Sequence, residues 1–147
     1  MQARDMVEEF PVTSLDADAL EAAKVMAAER LPGLVVVDAR GRPHSILGAS
    51  QVVRFLVPRY VQDDPSLAGV VGESLADQVA DKLSGVSVRR LLPEEPQELA
   101  VVHADDTVLE LAAVMARLRS PLVAVVEDDQ VVGVVTASRL LQLVTPQ

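Results

Sequence analysis

Apolar positions along this chain fall first at helical spacing and then in short unbroken runs, and that order occurs twice. Leu20, Ala23, Met26 and Ala27 form one helical stripe, and Leu109, Ala112, Met115 and Ala116 repeat it. Each stripe opens on a capping-box pattern, Asp18-Ala-Leu-Glu21 or Thr107-Val-Leu-Glu110, in which a short side chain caps the helix and the Glu reaches back. Each ends toward a proline, Pro32 or Pro121, which cannot continue a helix. Leu34 to Val37 and Leu122 to Val126 then read as strands buried on both faces. The polar turns Asp38-Ala-Arg-Gly41 and Glu127-Asp-Asp-Gln130 lead into second strands, Ser45 to Leu47 and Val131 to Val135. An amphipathic helix closes each unit, with apolar Val52, Val53 and Leu56 in one and Leu140, Leu141 and Val144 in the other. The predicted unit is therefore β-α-β-β-α, twice over.

Direct superposition supports the duplication. Asp16 to Val37 lies over Asp105 to Val126 without a gap, with identities that include Leu20/Leu109, Glu21/Glu110, Met26/Met115, Pro32/Pro121 and Val37/Val126. One extra residue near Arg40 shifts the register, after which Ala49-Ser50 falls on Ala137-Ser138. The expected organisation is repeat 1 over residues 1–57, a linker with a helix over 58–85, and repeat 2 over 86–147. The linker is too long for a bare loop. Ser74-Leu-Ala-Asp77 and the stripe Leu75, Val79, Leu83 place a helix from about Glu73 to Lys82. Val86 to Leu92 echoes Ala3 to Val7 as a lead-in to each copy. A repeat of this size needs a partner to bury its apolar face, so the expected fold is α+β, two such repeats packed as one module.

Composition narrows the function. Half the residues are apolar but only 2% are aromatic, so Val, Leu, Ala and Met must build the core. A net charge of −9 repels phosphate backbones, and the few aromatics leave little for bases to stack on, which argues against nucleic acid. The absence of Cys excludes thiol nucleophiles and thiolate metal sites. Met1 to Glu9 lacks the apolar stretch of a signal peptide, and no run has the length of a membrane span, so a cytoplasmic protein without direct membrane insertion is expected. The only histidines are His44 and His103, and neither HExxH, a P-loop, GxGxxG nor GxSxG occurs, so no nucleophile is paired with a base and an enzyme is not expected. The paired acids Asp63-Asp64, Glu94-Glu95, Asp105-Asp106 and Asp128-Asp129 fit solvated turns and helix entries.

Leu31-Pro-Gly-Leu-Val-Val-Val-Asp38 and Gly133-Val-Val-Thr136-Ala-Ser-Arg139, within a tandem arrangement, resemble the cystathionine-β-synthase (CBS) domain. The resemblance implies two repeats facing each other about a pseudo-twofold axis and two clefts that often take adenine nucleotides (AMP, ADP, ATP) or S-adenosyl methionine. It implies no required cofactor or metal. It further implies a disc-like homodimer and a regulatory role, exerted in trans on an enzyme or transporter.

The family's nucleotide signature is Gly, two apolar residues, Thr or Ser, two residues, then an Asp that takes the ribose hydroxyls. Repeat 2 keeps Gly133 and Thr136, carries Ser138, and has Arg139 in place of the Asp. Repeat 1 reads Ser45-Ile-Leu-Gly48-Ala-Ser50-Gln51, so all three positions differ. A carboxylate accepts two hydroxyl hydrogen bonds, whereas Arg only donates and Gln accepts through one oxygen. Arg139 fits either an anion held by paired N–H donors or a solvated helix start. Thr136 fits either a ligand contact or a plain N-cap. Thr13-Ser14 and Val102-His103 lie on the strands that line the adenine pocket in the family, while Pro32-Gly33 and Pro121-Leu122 present backbone toward the cleft. Two functional readings remain open at this point, a ligand sensor and a CBS scaffold or regulatory subunit that has lost nucleotide binding.

Overall fold

The computed structural model describes residues 1–71, 75–95 and 97–146. After a 3-10 turn at Ala3–Asp5, repeat 1 runs β1 (Val12–Ser14), α1 (Ala19–Glu29), β2 (Gly33–Val37), β3 (Pro43–Gly48) and α2 (Ala49–Leu56). The linker carries α3 (Arg59–Asp63), a 3-10 turn at Pro65–Leu67, α4 (Ala68–Val71) and α5 (Leu75–Leu83), and α6 (Val88–Leu91) forms the lead-in to the second copy. Repeat 2 runs β4 (Val101–His103), α7 (Val108–Leu118), β5 (Leu122–Glu127), β6 (Gln130–Thr136) and α8 (Ala137–Val144). Each repeat forms a three-stranded sheet whose central strand is parallel to the first and antiparallel to the third. Both hairpins slip register at the same place, Val36/Val37 and Val125/Val126. The β-α-β-β-α expectation holds in both copies. The linker expectation of one helix was too simple, and the start of that helix with its Ser74 cap lies outside the described residues.

Side chains of the central strands alternate between two cores. Leu34 and Val36 point to the helices of repeat 1, with Ala22, Met26, Val52, Leu56 and Leu83. Val123 and Val125 do the same in repeat 2, with Leu111 and Met115. The alternate positions Val35, Leu122 and Ala124 meet Val134 in a thin layer between the two sheets, flanked by Phe10, Ile46 and Val101. Burying each of the Val and Leu side chains here contributes about 1.5–3 kcal/mol, so this layer holds the repeats together.

Three local expectations are corrected. Leu109 is 79% exposed, because the buried face of α7 runs through Leu111 and Met115 rather than through the second helical position. The capping boxes are incomplete: Asp18 accepts from the Leu20 N–H while Glu21 turns to Lys24, and Glu110 reaches only the Thr107 hydroxyl. The helices also end before their prolines. Arg30 and Arg119 adopt left-handed conformations (φ 54° and 52°) and close Schellman turns, with Leu31 N–H donating to Met26 and Ser120 N–H to Met115.

The extra residue near Arg40 has a physical cause. Repeat 2 turns in two left-handed residues, Asp128 and Asp129. Repeat 1 uses a longer loop wrapped around the Asp38 carboxylate, which accepts from the N–H groups of Arg40 and Arg42 at 2.9 and 3.0 Å.

The lead-in segments are exchanged between repeats. Ala3 N–H donates to Asp106 and Arg4 N–H to Ala104, so the first lead-in docks on repeat 2. Val88 N–H donates to Ala17 and Arg89 N–H to Leu15, so the second docks on repeat 1. These bonds occupy equivalent positions in the two halves, which turns the faint echo between the lead-ins into a structural equivalence.

Candidate functional site

The larger cavity, about 480 Å³, opens between the repeats. Three parts of the chain wall it, namely β3 and the start of α2 in repeat 1, Leu92, Pro93, Glu95 and Gln97 to Ala100 ahead of β4, and the end of α7 through Pro121 in repeat 2. Of the residues expected at a site it gathers Gly48, Ser50, Gln51 and Pro121. Gly48 is the N-cap of α2 and has no side chain to satisfy the first turn, so the Gln51 carbonyl takes the Gly48 N–H at 2.8 Å. That bond uses the acceptor by which Gln51 would have replaced the family's carboxylate and leaves its NH2 group as a donor.

Charge in the cavity comes from both signs. Glu95 and Glu98 lie on one wall, Arg119 on another. Glu98 is paired with Arg117 by two hydrogen bonds of 2.6 and 3.0 Å, and these bonds hold its carboxyl below the ordinary carboxylate value. The same contact raises the Arg117 pKa. Arg119 is exposed and, among the described residues, has no ion-pair partner. It adopts a left-handed backbone and lines the cavity beside Ser120, whose hydroxyl donates to the Leu122 carbonyl. The arrangement suits a ligand with one compact anionic group near Arg119 and hydrogen-bonding groups toward Ser50, Gln51 and Ser120.

A second, shallower cavity of about 420 Å³ is lined by Asp38, Arg42, Pro43, Val101, His103, Val126 and Asp129. His103 is thus separated from the other expected residues, and its N–H donates to Asp106 at 2.9 Å. Asp38 is held below its ordinary pKa, first by the Arg42 backbone N–H, then by the Arg40 N–H and the Arg42 guanidinium. Among the described residues no cluster of three His, Asp or Glu could hold a metal ion.

The remaining expected residues line neither cavity. Val102 and Leu122 are buried in the core of repeat 2 and in the inter-sheet layer, because their strand positions face inward. Gly33 is buried where β2 passes β3, and a Cβ there would lie 2.7 Å from the Leu47 carbonyl. Pro32 accepts from the Ala49 N–H, and Thr13 and Ser14 pair along β1 with Val36 and Val37. Thr136 is buried and caps α8, its oxygen accepting from the Arg139 N–H at 3.0 Å and meeting the Ser138 hydroxyl at 3.2 Å. Arg139 reaches the Met6 carbonyl and Gln142, and Gly133 backs onto Glu8. Thr136 and Arg139 are thus engaged by the helix cap and by contacts with Gln142 and the N-terminal segment.

Leu92, Pro93, Glu95, Gln97 to Ala100 and Arg119 were not anticipated at the site. A signal for them was present: β1 begins nine residues after Ala3, but β4 begins thirteen after Val88, so the second lead-in has slack with which to form a wall.

The CBS domain model matches residues 3–58 and 96–145. A CBS domain-containing protein of unknown function from Kribbella flavida DSM 17836 is 67% identical and aligns over 98% of both chains, with a TM-score of 0.87. CBSX2, solved in complex with AMP, is 16% identical with a TM-score of 0.68 over 97% of this chain and 94% of its own. The CBS domain pair of protein MJ0100, solved with 5′-methylthioadenosine and S-adenosyl-L-methionine, is 20% identical with a TM-score of 0.65 over 97% and 94%. No curated protein matches the chain. Among the described residues no helix is long and apolar enough to cross a membrane. The two matched segments cover most of the chain, one on each side of the linker helices, and the chain belongs to the CBS domain family.

Proposed function

We propose that this chain is a regulatory sensor that binds an adenine-containing ligand in the larger inter-repeat cavity and acts on a partner protein in trans, in the cytoplasm. The observation that carries this reading is the cavity itself, which has the volume of a small-molecule site and joins Gly48, Ser50 and Gln51 of one repeat to Arg119 and Pro121 of the other. The AMP and S-adenosyl-L-methionine complexes of two proteins of the same fold support the ligand class. Walls drawn from both repeats make occupancy sensitive to their relative setting, which is what a regulatory ligand needs. The test is a thermal-shift and calorimetric panel of AMP, ADP, ATP and S-adenosyl methionine on the purified chain. A ligand at about 100 times its Kd adds about 2.7 kcal/mol of stability. A flat response across the panel overturns the reading and favours the scaffold alternative, which the Gln51 and Arg139 replacements support.

The reading includes a homodimer. Val53 on α2 and Leu141 on α8 occupy equivalent positions and are 51% and 58% exposed, so the pseudo-symmetry leaves matching apolar residues on both closing helices. Sedimentation of the wild type is expected to give a dimer, and of Val53→Asp with Leu141→Asp a monomer. A wild-type monomer at all concentrations refutes this part.

A further inference from the structure

The two inter-repeat clefts are assembled from equivalent parts, yet their contents differ. Up to the end of the lead-ins the halves match, with Met6 and Leu91 both buried at corresponding positions. Beyond that point they diverge. Residues 7–8 run on along β6, where the Glu8 N–H donates to the Val134 carbonyl at 2.8 Å and the Val134 N–H returns a bond to Glu8 at 2.9 Å. Gly133 permits this approach, because a Cβ there would lie 2.8 Å from the Glu8 oxygen and 2.9 Å from the Val7 Cβ. Phe10 then enters the inter-sheet layer, and the Arg139 Nε donates to the Met6 carbonyl at 3.5 Å.

In the other half each enabling feature is missing. Pro93 stands where Glu8 stands and has no N–H to donate. Ser45 replaces Gly133, so the third strand presents a side chain. The lead-in is also longer there, thirteen residues from Val88 to the start of β4 against nine from Ala3 to β1, and the 480 Å³ cavity lies beside it, lined by Leu92, Pro93 and Gln97 to Ala100.

We infer that residues 6–10 are a built-in strap that fills the second cleft, so that each chain takes one ligand, at the Gly48–Gln51 cleft. The stoichiometry rests on the proposed reading of the larger cavity; the strap does not. The experiment pairs calorimetry of the full chain with AMP and hydrogen exchange with and without AMP. The expected result is one AMP per chain, with the Glu8 and Val134 amides exchanging more than about tenfold slower than unprotected amides even without ligand. Protection gained on binding should fall on 92–100 and leave 6–10 unchanged. Gly133→Ala and the milder Glu8→Pro should each raise exchange at 6–10 while one cooperative unfolding transition remains. Two AMP per chain, or unprotected Glu8 and Val134 amides in the ligand-free wild type, overturns the inference. Protected amides with no AMP bound sink the proposed ligand class and leave the strap standing.

Discussion

The paired Schellman turns allow fold and ligand binding to be separated with one substitution made twice. Arg30 and Arg119 end α1 and α7 in nearly the same left-handed conformation, and both side chains are exposed. A non-glycine residue there costs roughly 1–2 kcal/mol, and glycine gives back about 0.5–1 kcal/mol through the greater freedom of its unfolded chain. Arg30→Gly and Arg119→Gly should therefore each stabilise by roughly 0.5–1 kcal/mol. With an unfolding entropy of about 2.1 cal/mol/K per residue, the chain of 147 residues loses about 0.3 kcal/mol per degree, so Tm should rise by roughly 2–3 °C in both variants. Only Arg119 lines the larger cavity. Removing a charge-assisted hydrogen bond worth about 1.5–3 kcal/mol should weaken AMP roughly 10- to 150-fold in Arg119→Gly and leave Arg30→Gly at the wild-type affinity. Thermal scans without ligand and calorimetric titration with AMP read the two effects independently. Equal losses of affinity in the two variants refute the assignment of Arg119 to the site, and a fall in Tm in both refutes the backbone argument.

Leu122 is fully buried between the sheets, so Leu122→Ala should cost about 2–5 kcal/mol and lower Tm by roughly 7–15 °C. A drop of under about 2 °C would show that this layer does not hold the repeats together. Glu98 gives a pH dependence of known sign. Its folded pKa lies below the ordinary 4.5, so its contribution is complete above that value and disappears as pH falls through the folded value. Denaturant midpoints followed down into acid should fall less for Glu98→Gln than for wild type, and parallel acid limbs would refute the effect of the Arg117 pair.

What the two copies share was legible in the sequence. Half-buried helices, two-sided strands and polar turns each leave a periodicity, and a second copy confirms the first, so the β-α-β-β-α units and their pairing could be read from residues alone. The site depends on what the copies do not share. Gly48, Ser50, Gln51 and Pro121 could be found because they sit at a recognisable strand-to-helix or helix-to-strand turn. The wall residues Leu92, Pro93, Glu95 and Gln97 to Ala100 leave no periodic trace, and their position follows from a longer lead-in that only the exchange of segments between repeats makes meaningful. Thr136 and Arg139 keep more of the family signature than repeat 1, yet they line neither cavity. A hydroxyl and a guanidinium at a helix start serve a cap and a strap as readily as a ligand.

The asymmetry of the clefts bears on how a bound ligand would act at the proposed dimer surface. α2 starts at the cavity with Gly48, Ser50 and Gln51, and carries exposed Val53 about 7.5 Å further along its axis at 1.5 Å per residue. A ligand that sets the N-terminus of α2 therefore sets Val53, with one rigid helix between them. α8 carries the matching Leu141, but its own start is held by the Thr136 cap and by the contact of Arg139 with Met6. Ligand occupancy should thus act on one of the two pseudo-equivalent helices while the other stays fixed as a reference. If the ligand binds one setting of α2 tenfold more tightly than the other, it shifts that equilibrium by about 1.4 kcal/mol, and none of the shift is divided with α8.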